Sequence, residues 1–448
     1  MKDSGKRGSA RPCKVALLGF GTVGSAVAKI LSERPDSDLQ VTHILNRNVA
    51  NKRVGWLPLS VHWTENIEDV LSSDANIVVE LLGGLQPSED WIRRALESGK
   101  SVVTANKQVI ARRGPDLIAL AQRMNQKLHF GASVAGGVPV ISGLQGGLAG
   151  DELFKIRGIL NGTCNYILSQ IETTGIPFAT ALREAQKLGF AEADPTEDID
   201  GLDARAKLAI LARVGLHCNL NAENIAARSI SAIDSIDFEY AAELGCTIRQ
   251  ISWVELKSLE LKGAEPAKDE QLFAAVQPAL VELSSPLARV QGSQNLVVAT
   301  GKYGGETVFG GHGAGGNPTA VAVVSDILEI ARSRQDATTT PPAGNDAEKH
   351  RDTYSVEKSP TVINDVDTRH YLRFMVRDRP GIIATLATIL SQHNININAV
   401  VQKPDCSKSH LPFLITLEEC NSSLVEQALQ KMNSLNFLVR PCLHLPIL

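Results

Sequence analysis

Apolar residues in the first third of the chain gather into short continuous runs, separated by stretches with helical spacing. CKVALLGF, VTHIL, NIVVELLGG, KSVVTANK and KLHFGASVAG have strand length. GSAVAKILSER, SEDWIRRALESG and GPDLIALAQRMNQ repeat apolar positions every three or four residues. Strands that are apolar throughout are buried on both faces. Their alternation with helices predicts a parallel sheet covered on each side. This α/β domain is expected over residues 12–140.

The texture then changes. KIRGIL, TIRQISWVEL, SLELKGAE, LFAAVQPALV, NLVVATGKY and ETVFGG predict strands, with NYILSQIE, FATALREAQKLG and DARAKLAILARVG as helices among them. An α+β domain is expected over residues 141–316. PTAVAVVSDILEIARSR predicts a long helix at 317–334 that completes the first domain, with proline in its first turn. Residues 336–366, rich in Pro, Thr and Asp, predict a linker. Over 367–448 the pattern gives strand HYLRFMVR, turn DRPG, helix IIATLATILSQH, strands NININAVVQK and HLPFLITLEE, helix LVEQALQKMN and strand FLVRPCLHL. That βαββαβ order is ferredoxin-like.

Composition narrows the function classes. A chain of 448 residues is too long for one core. With a net charge of −4, aromatics at 4% and no Lys/Arg stripe, the chain lacks the basic, stacking groove of a nucleic-acid binder. No apolar run approaches the roughly 18–20 residues of a membrane span. MKDSGKRGSARPCK lacks the apolar segment of a secretory signal. Seven scattered cysteines without C-x-x-C suggest reduced thiols and a cytoplasmic location. Ten dispersed histidines offer no spacing typical of a transition-metal site. The expected partner is a small molecule.

VALLGFGTVGSAVAKIL places Gly19, Gly21 and Gly24 in G-x-G-x-x-G spacing, after a buried strand and at the opening of a helix. That context predicts a Rossmann-type dinucleotide site. Gly19 permits the tight turn, Gly21 lets the backbone approach a pyrophosphate, and Gly24 allows close helix–strand packing. The amides of Thr22 and Val23 face the phosphates. The next strand ends in ILNRN, without the carboxylate that grips the ribose hydroxyl of NAD. Arg47 there suits the 2′-phosphate of NADP(H), with NAD(H) still usable; the alternative is a surface arginine. In VVTANK, Lys107 follows a strand end, the edge where α/β sheets bind ligands. It either meets nicotinamide and substrate or opens the next helix in solvent.

The most charged stretch is AEADPTEDIDGLDARAKLAIL, with six carboxylates between Glu192 and Asp203 and a lone Lys207 beyond them. Helical spacing puts Asp203 and Lys207 on the apolar face with Ile210, Leu211 and Val214. Arg205, Ala209 and Ala212 fall on the expected wet face. Inward placement suggests a cleft. Asp194 and Asp200 fit a capping role, whereas Glu192 and Asp198 are candidates for a substrate ammonium group. Reduction of an aldehyde needs a hydride and a proton, and Lys207 is the candidate proton donor.

GFGTVG, TANK, SVAGGVP, ILNGTCNYIL, GFAEADPTEDIDGLDARAKLAIL and GAGGNPTA stand in the order of the homoserine dehydrogenase family, which nearly the whole chain resembles. The last 80 or so residues resemble an ACT regulatory domain. The resemblance implies interconversion of L-aspartate 4-semialdehyde and L-homoserine with NAD(P)H, on the route to threonine, methionine and isoleucine. It implies Lys207 as catalytic acid/base with Lys107 as its partner. Glu192, Asp198 and Asp203 become substrate-binding or supporting carboxylates, and Gly162 and Thr163 pocket residues. It further implies a homodimer or homotetramer, and Na+ held by carbonyls of Val134, Gly136 and Val138. Gly131 stands where the family carries a glutamate, and SVAGGVP otherwise reads as a glycine hinge. At Asp378–Gly381 the DRPG turn either holds an amino-acid effector such as threonine or serves packing. Two other readings remain open. A different NADP-dependent aldehyde or hydroxy-acid dehydrogenase leaves the six carboxylates unexplained, and a nucleotide-sensing regulator leaves Lys207 unexplained.

Overall fold

The first apolar runs become strands β1 (Cys13–Leu18), β2 (Leu39–Leu45), β3 (His62–Thr64), β4 (Ile77–Glu80), β5 (Ser101–Thr104) and β6 (Leu128–His129) of a computed structural model. The structure describes residues 12–34, 38–257, 271–339, 359–404 and 406–448. These six strands form one parallel sheet in the order β3-β2-β1-β4-β5-β6, the doubly wound arrangement whose strand order reverses beside β1. Val15, Leu17, Ile77, Val79 and Val103 are buried against Val27, Leu31, Val323 and Ile327 of the covering helices. Of KLHFGASVAG only two residues are extended. Beyond His129 the chain turns through a short 3-10 segment, Gly131–Ser133, whose two small residues and serine favour a tight turn over a strand.

A second, mixed sheet is built from β7 (Leu153–Ile159), β8 (Ala226–Ala227), β9 (Cys246–Lys257), β10 (Gln271–Glu282), β11 (Gln294–Gly301), β12 (Gly305–His312), β13 (Thr361–Ile363), β14 (Asp367–Val376), β15 (Ile397–Val401), β16 (Leu411–Asn421) and β17 (Leu438–Ile447). Its order is β12-β11-β7-β9-β10-β17-β14-β16-β15, with β8 and β13 also paired to β10. The predicted strand SLELKGAE lies outside the described residues, as does most of the predicted linker. Two ends of that linker are ordered: the long helix Gly316–Thr339 continues into it, and Thr361–Ile363 pairs in parallel with β10. The βαββαβ order of the last part is as expected, with helices Ile382–Gln392 and Ser422–Met432.

Contacts divide the chain into two units: Met1–Gly150 with Arg213–Asn219 and Gly311–Lys358, and Asp151–Ala212 with Leu220–Gly310 and Ser359–Leu448. The ferredoxin-like part thus belongs to the second unit, because β17 pairs with β10 at Leu280–Ile447 and the sheet runs on without interruption. A buried ionic contact reinforces the junction: Asp237 accepts hydrogen bonds from Tyr371 and Arg373 of β14. Among the described residues no helix is long and apolar enough to cross a membrane.

Candidate active site

In the first unit the glycine run forms the turn between β1 and helix Thr22–Ser32. Gly19 has φ +105, and a Cβ there would stand 2.9 Å from the carbonyl oxygen of Leu81. A Cβ on Gly24 would stand 2.1 Å from the Gly19 carbonyl oxygen, so the helix meets the turn too closely for any side chain. Gly21 faces open space and starts the helix without a side-chain cap. The Thr22 and Val23 amides therefore lie at an uncapped helix start, where backbone donors and the helix dipole favour an anion. Asn46 fixes this turn from the end of β2, its Oδ1 accepting the Phe20 amide at 3.0 Å. Arg47 is the next residue and is exposed.

Lys107 is half-buried and begins helix Lys107–Arg123 beyond β5. Asn106 caps that helix through the Val109 amide at 3.2 Å and donates to the Gly84 carbonyl at 2.6 Å. Behind it lies Glu80, fully buried at the end of β4, which accepts from the Thr104 hydroxyl at 2.6 Å and the Leu82 amide at 2.8 Å. Asn106 stands with Lys107 at the strand end where the sequence places a ligand edge, whereas Glu80 escaped the sequence reading as a site residue. The available signal was a lone carboxylate closing the apolar run IVVE, which a buried strand tolerates only when its oxygens are satisfied.

In the second unit the acidic stretch resolves into parts with different surroundings. Asp194 lies just before the short helix Thr196–Ile199, accepting from the Thr196 amide at 3.1 Å and hydroxyl at 2.6 Å. Those bonds lower its pKa by favouring the charged carboxylate. Glu192 is exposed, and its side chain makes none of the hydrogen bonds described next. Asp198 and Asp203 converge on Asn161, whose amide nitrogen donates to both, at 2.7 Å and 2.9 Å. Asp203 also accepts from Lys207 Nζ at 2.7 Å, and the same nitrogen donates to the Leu160 carbonyl at 2.8 Å. The Lys207 side chain is 14% exposed and that of Asp203 5%. The ammonium therefore points inward, toward the end of β7.

The wet face expected for this helix, Leu202–Leu216, is absent. Ala209 and Ala212 are fully buried, like Leu208, Ile210 and Leu211, and Arg205 is half-buried. Small alanines permit close packing on that side, so the helix is central and its moment carries little information.

Asn161 holds this group together and was not singled out in the sequence. It caps helix Gly162–Thr174 through the Cys164 amide at 2.8 Å while its other end holds the two aspartates. Asparagine immediately before a helix is the signal that was available. At Gly162 a Cβ would stand 2.7 Å from the Ser293 carbonyl oxygen. Thr163 donates to the Phe190 carbonyl at 2.6 Å, fastening the loop that carries Glu192 and Asp194. The neighbouring Cys164 is buried, and burial together with Asp198 and Asp203 pushes its thiol well up, so it remains protonated.

SVAGGVP forms a buried loop in the first unit, with Ala135 and Gly136 both at positive φ. Val138 donates its amide to the Ala135 carbonyl at 2.9 Å, and its own carbonyl receives the Val140 amide at 2.8 Å. At residue 131 the missing side chain makes room for Asp326, whose Oδ2 accepts the Gly131 amide at 2.8 Å. In the DRPG turn, Gly381 has φ +91 and begins helix Ile382–Gln392, and the Asp378 amide donates to the Lys408 carbonyl at 2.7 Å.

Three family models match consecutive parts of the chain. Residues 19–131 match the homoserine dehydrogenase NAD-binding domain, 139–328 homoserine dehydrogenase, and 370–437 the ACT domain. A homoserine dehydrogenase of Mycobacterium tuberculosis is 38% identical over 403 residues, covering 88% of both chains. The Bacillus subtilis homoserine dehydrogenase is 34% identical over 431 residues, covering 94% of this chain and 95% of its own. Among solved structures, a homoserine dehydrogenase from Thiobacillus denitrificans superposes with a TM-score of 0.85 at 31% identity, covering 98% of each chain. A hyperthermophilic archaeal homoserine dehydrogenase in complex with NADPH gives a TM-score of 0.58 at 27% identity, covering 72% of this chain and 98% of its own.

Proposed function

Because this chain belongs to the homoserine dehydrogenase family, an oxidoreductase family with a nicotinamide-dinucleotide domain, we propose that Lys207 is its catalytic acid in reducing L-aspartate 4-semialdehyde to L-homoserine. The observation that carries this is the inward ammonium of Lys207, held by Asp203 and the Leu160 carbonyl. Those two acceptors use two of its three protons. The third is available to a substrate oxygen.

When bound, the dinucleotide supplies the hydride. Lys207 gives its proton to the aldehyde oxygen as negative charge develops there, and takes it back in the oxidative direction. Asp203 keeps the amine oriented through their hydrogen bond. Asn161 sets the angle of Asp203 and Asp198, and Asp198 with Glu192 receives the substrate ammonium group. Gly162 and Thr163 shape the pocket floor, the glycine by its close approach to Ser293 and the threonine by fastening the Phe190 loop.

Gly19, Gly21, Thr22, Val23 and Gly24 would hold the pyrophosphate, with Lys107 toward the nicotinamide end. Arg47, exposed one residue beyond the Asn46 brace, supports a preference for NADP(H) over NAD(H). Oxygen donors at Val134, Gly136 and Val138 suit a hard cation such as Na+. The proposed division is a dinucleotide domain at 12–140 completed by helix 317–334, a substrate and dimerisation domain at 141–316, and a regulatory domain at 367–448. Threonine binding at the Asp378–Gly381 turn would give feedback control of a cytoplasmic homodimer or homotetramer in threonine, methionine and isoleucine synthesis.

The test is NADPH formation from homoserine. Lys207→Ala should abolish most turnover while NADPH binding persists, and retained turnover defeats the assignment. Millimolar threonine should inhibit the full chain, and Asp378→Ala should relieve that inhibition.

A further inference from the structure

His129 closes β6, and Asp326 and Glu329 lie one turn apart on helix Gly316–Thr339, all within the first unit. One ligand atom from each side chain lies within 4.8 Å of the other two. His129 Nδ1 and Glu329 Oε2 are 3.6 Å apart. Asp326 is only 8% exposed, and its hydrogen bond from the Gly131 amide is a neutral one. Among the described residues no lysine or arginine forms an ion pair with it. A Cβ at residue 131 would stand 2.8 Å from Asp326 Oδ1, so the carboxylate occupies space that only glycine leaves free.

A carboxylate buried without a cation is costly, and such a group either keeps a proton or holds a metal. Burial, with Glu329 adding to it, pushes Asp326 up to about 7. Burial also pushes His129 down, so its imidazole is neutral and ready to ligate.

From this geometry we infer that His129, Asp326 and Glu329 form a site for a divalent first-row transition ion of the Zn2+ or Mn2+ class. One imidazole nitrogen and two carboxylate oxygens are a donor set these ions accept. Donors about 2.0–2.2 Å from a shared ion stand up to about 4 Å apart. The His129–Glu329 separation already meets that limit. Glu329 is largely exposed, so its side chain can close on the ion while water completes the coordination. These three side chains, an imidazole and two carboxylates, differ in chemistry from the backbone carbonyls of Val134, Gly136 and Val138. The ion pins the end of β6 to the long helix.

The test uses the full chain stripped with a chelator, then titrated calorimetrically with Mn2+ alone and with Zn2+ alone. Mn2+ is included because it discriminates against the cysteine thiols. One Mn2+ per chain is expected, with binding weakened at least about tenfold in Glu329→Gln and in His129→Gln. Glu329 lies at the surface, so its variant keeps the fold. The ion should also raise the melting temperature of the parent chain but of neither variant. Absence of Mn2+ binding by the parent chain overturns the inference, as does undiminished binding in either variant.

Discussion

Asp203 and Asp237 both sit in the first turn of a helix in the second unit, and each is buried beside a cation, Lys207 at 14% exposure and Arg373 at 1%. Asp237 is saturated. It accepts from Tyr371 at 2.7 Å, from Arg373 Nε at 2.7 Å and Nη2 at 3.1 Å, and from the Asp234 amide at 2.8 Å. Arg373 also reaches the Ala232 carbonyl, and its side chain is 1% exposed. Asp203 instead meets a lysine and a shared asparagine amide. A guanidinium forks across two oxygens and keeps its protons, whereas an ammonium offers one proton at a time and can release it. The arginine pair is suited to fastening β14 to the helix below it, the lysine pair to moving a proton.

The largest effect should come from the lysine. Lys207→Ala is expected to lower kcat on the order of 10²–10⁴-fold, with dinucleotide affinity retained. Lys207→Arg keeps the charge but not the transferable proton, so its kcat should stay low; near-normal turnover would erase the distinction between the pairs. Arg373→Ala should act on stability, by roughly 3–5 kcal/mol in urea unfolding, because Asp237 is left charged and buried. If kcat of the folded variant fell as steeply as in Lys207→Ala, the clamp would be part of the chemistry.

Asp326 supplies the case of a buried aspartate with no lysine or arginine paired to it among the described residues. Its folded pKa of about 7 lies above the ordinary 3.8, so the folded state binds this proton more tightly than the unfolded state. Its contribution to stability is present at low pH and lost as pH rises from about 4 to about 7, by roughly 4 kcal/mol at most. In metal-free protein, Asp326→Asn should remove this slope and unfold at higher urea at pH 8. An unchanged slope would show that Asp326 is not the titrating group. The smallest effect is expected for Asn161→Ala. Loss of the helix cap should cost about 1 kcal/mol, with a drop in kcat that Asn161→Ala shares with no other cap variant.

The continuous apolar runs of the first 140 residues were enough to predict β1, β2, β4 and β5, because strands buried on both faces leave a signal independent of their neighbours. The βαββαβ part was equally plain, each helix and strand having its own period. KLHFGASVAG misled because the same apolar texture serves a strand and a tight buried turn. Lys207 and Asp203 were visible as an i,i+4 pair on an apolar helix. Their partner Asn161 was not, since it arrives from 42 residues away and its cap signal says nothing of its other end.

Local pattern alone therefore determined the parallel sheet, the glycine turn, the ferredoxin-like ending and the inward lysine, since each depends on residues within a few positions of one another. Only tertiary structure decided that Asn161 joins Asp198 to the Asp203–Lys207 pair, that Asp237 fastens β14, and that His129 finds Asp326 and Glu329 some 200 residues along the chain. Burial made the difference. An aspartate's neighbours in space set whether its charge is paired, shared or left to seek a cation, and a linear sequence does not record who those neighbours are.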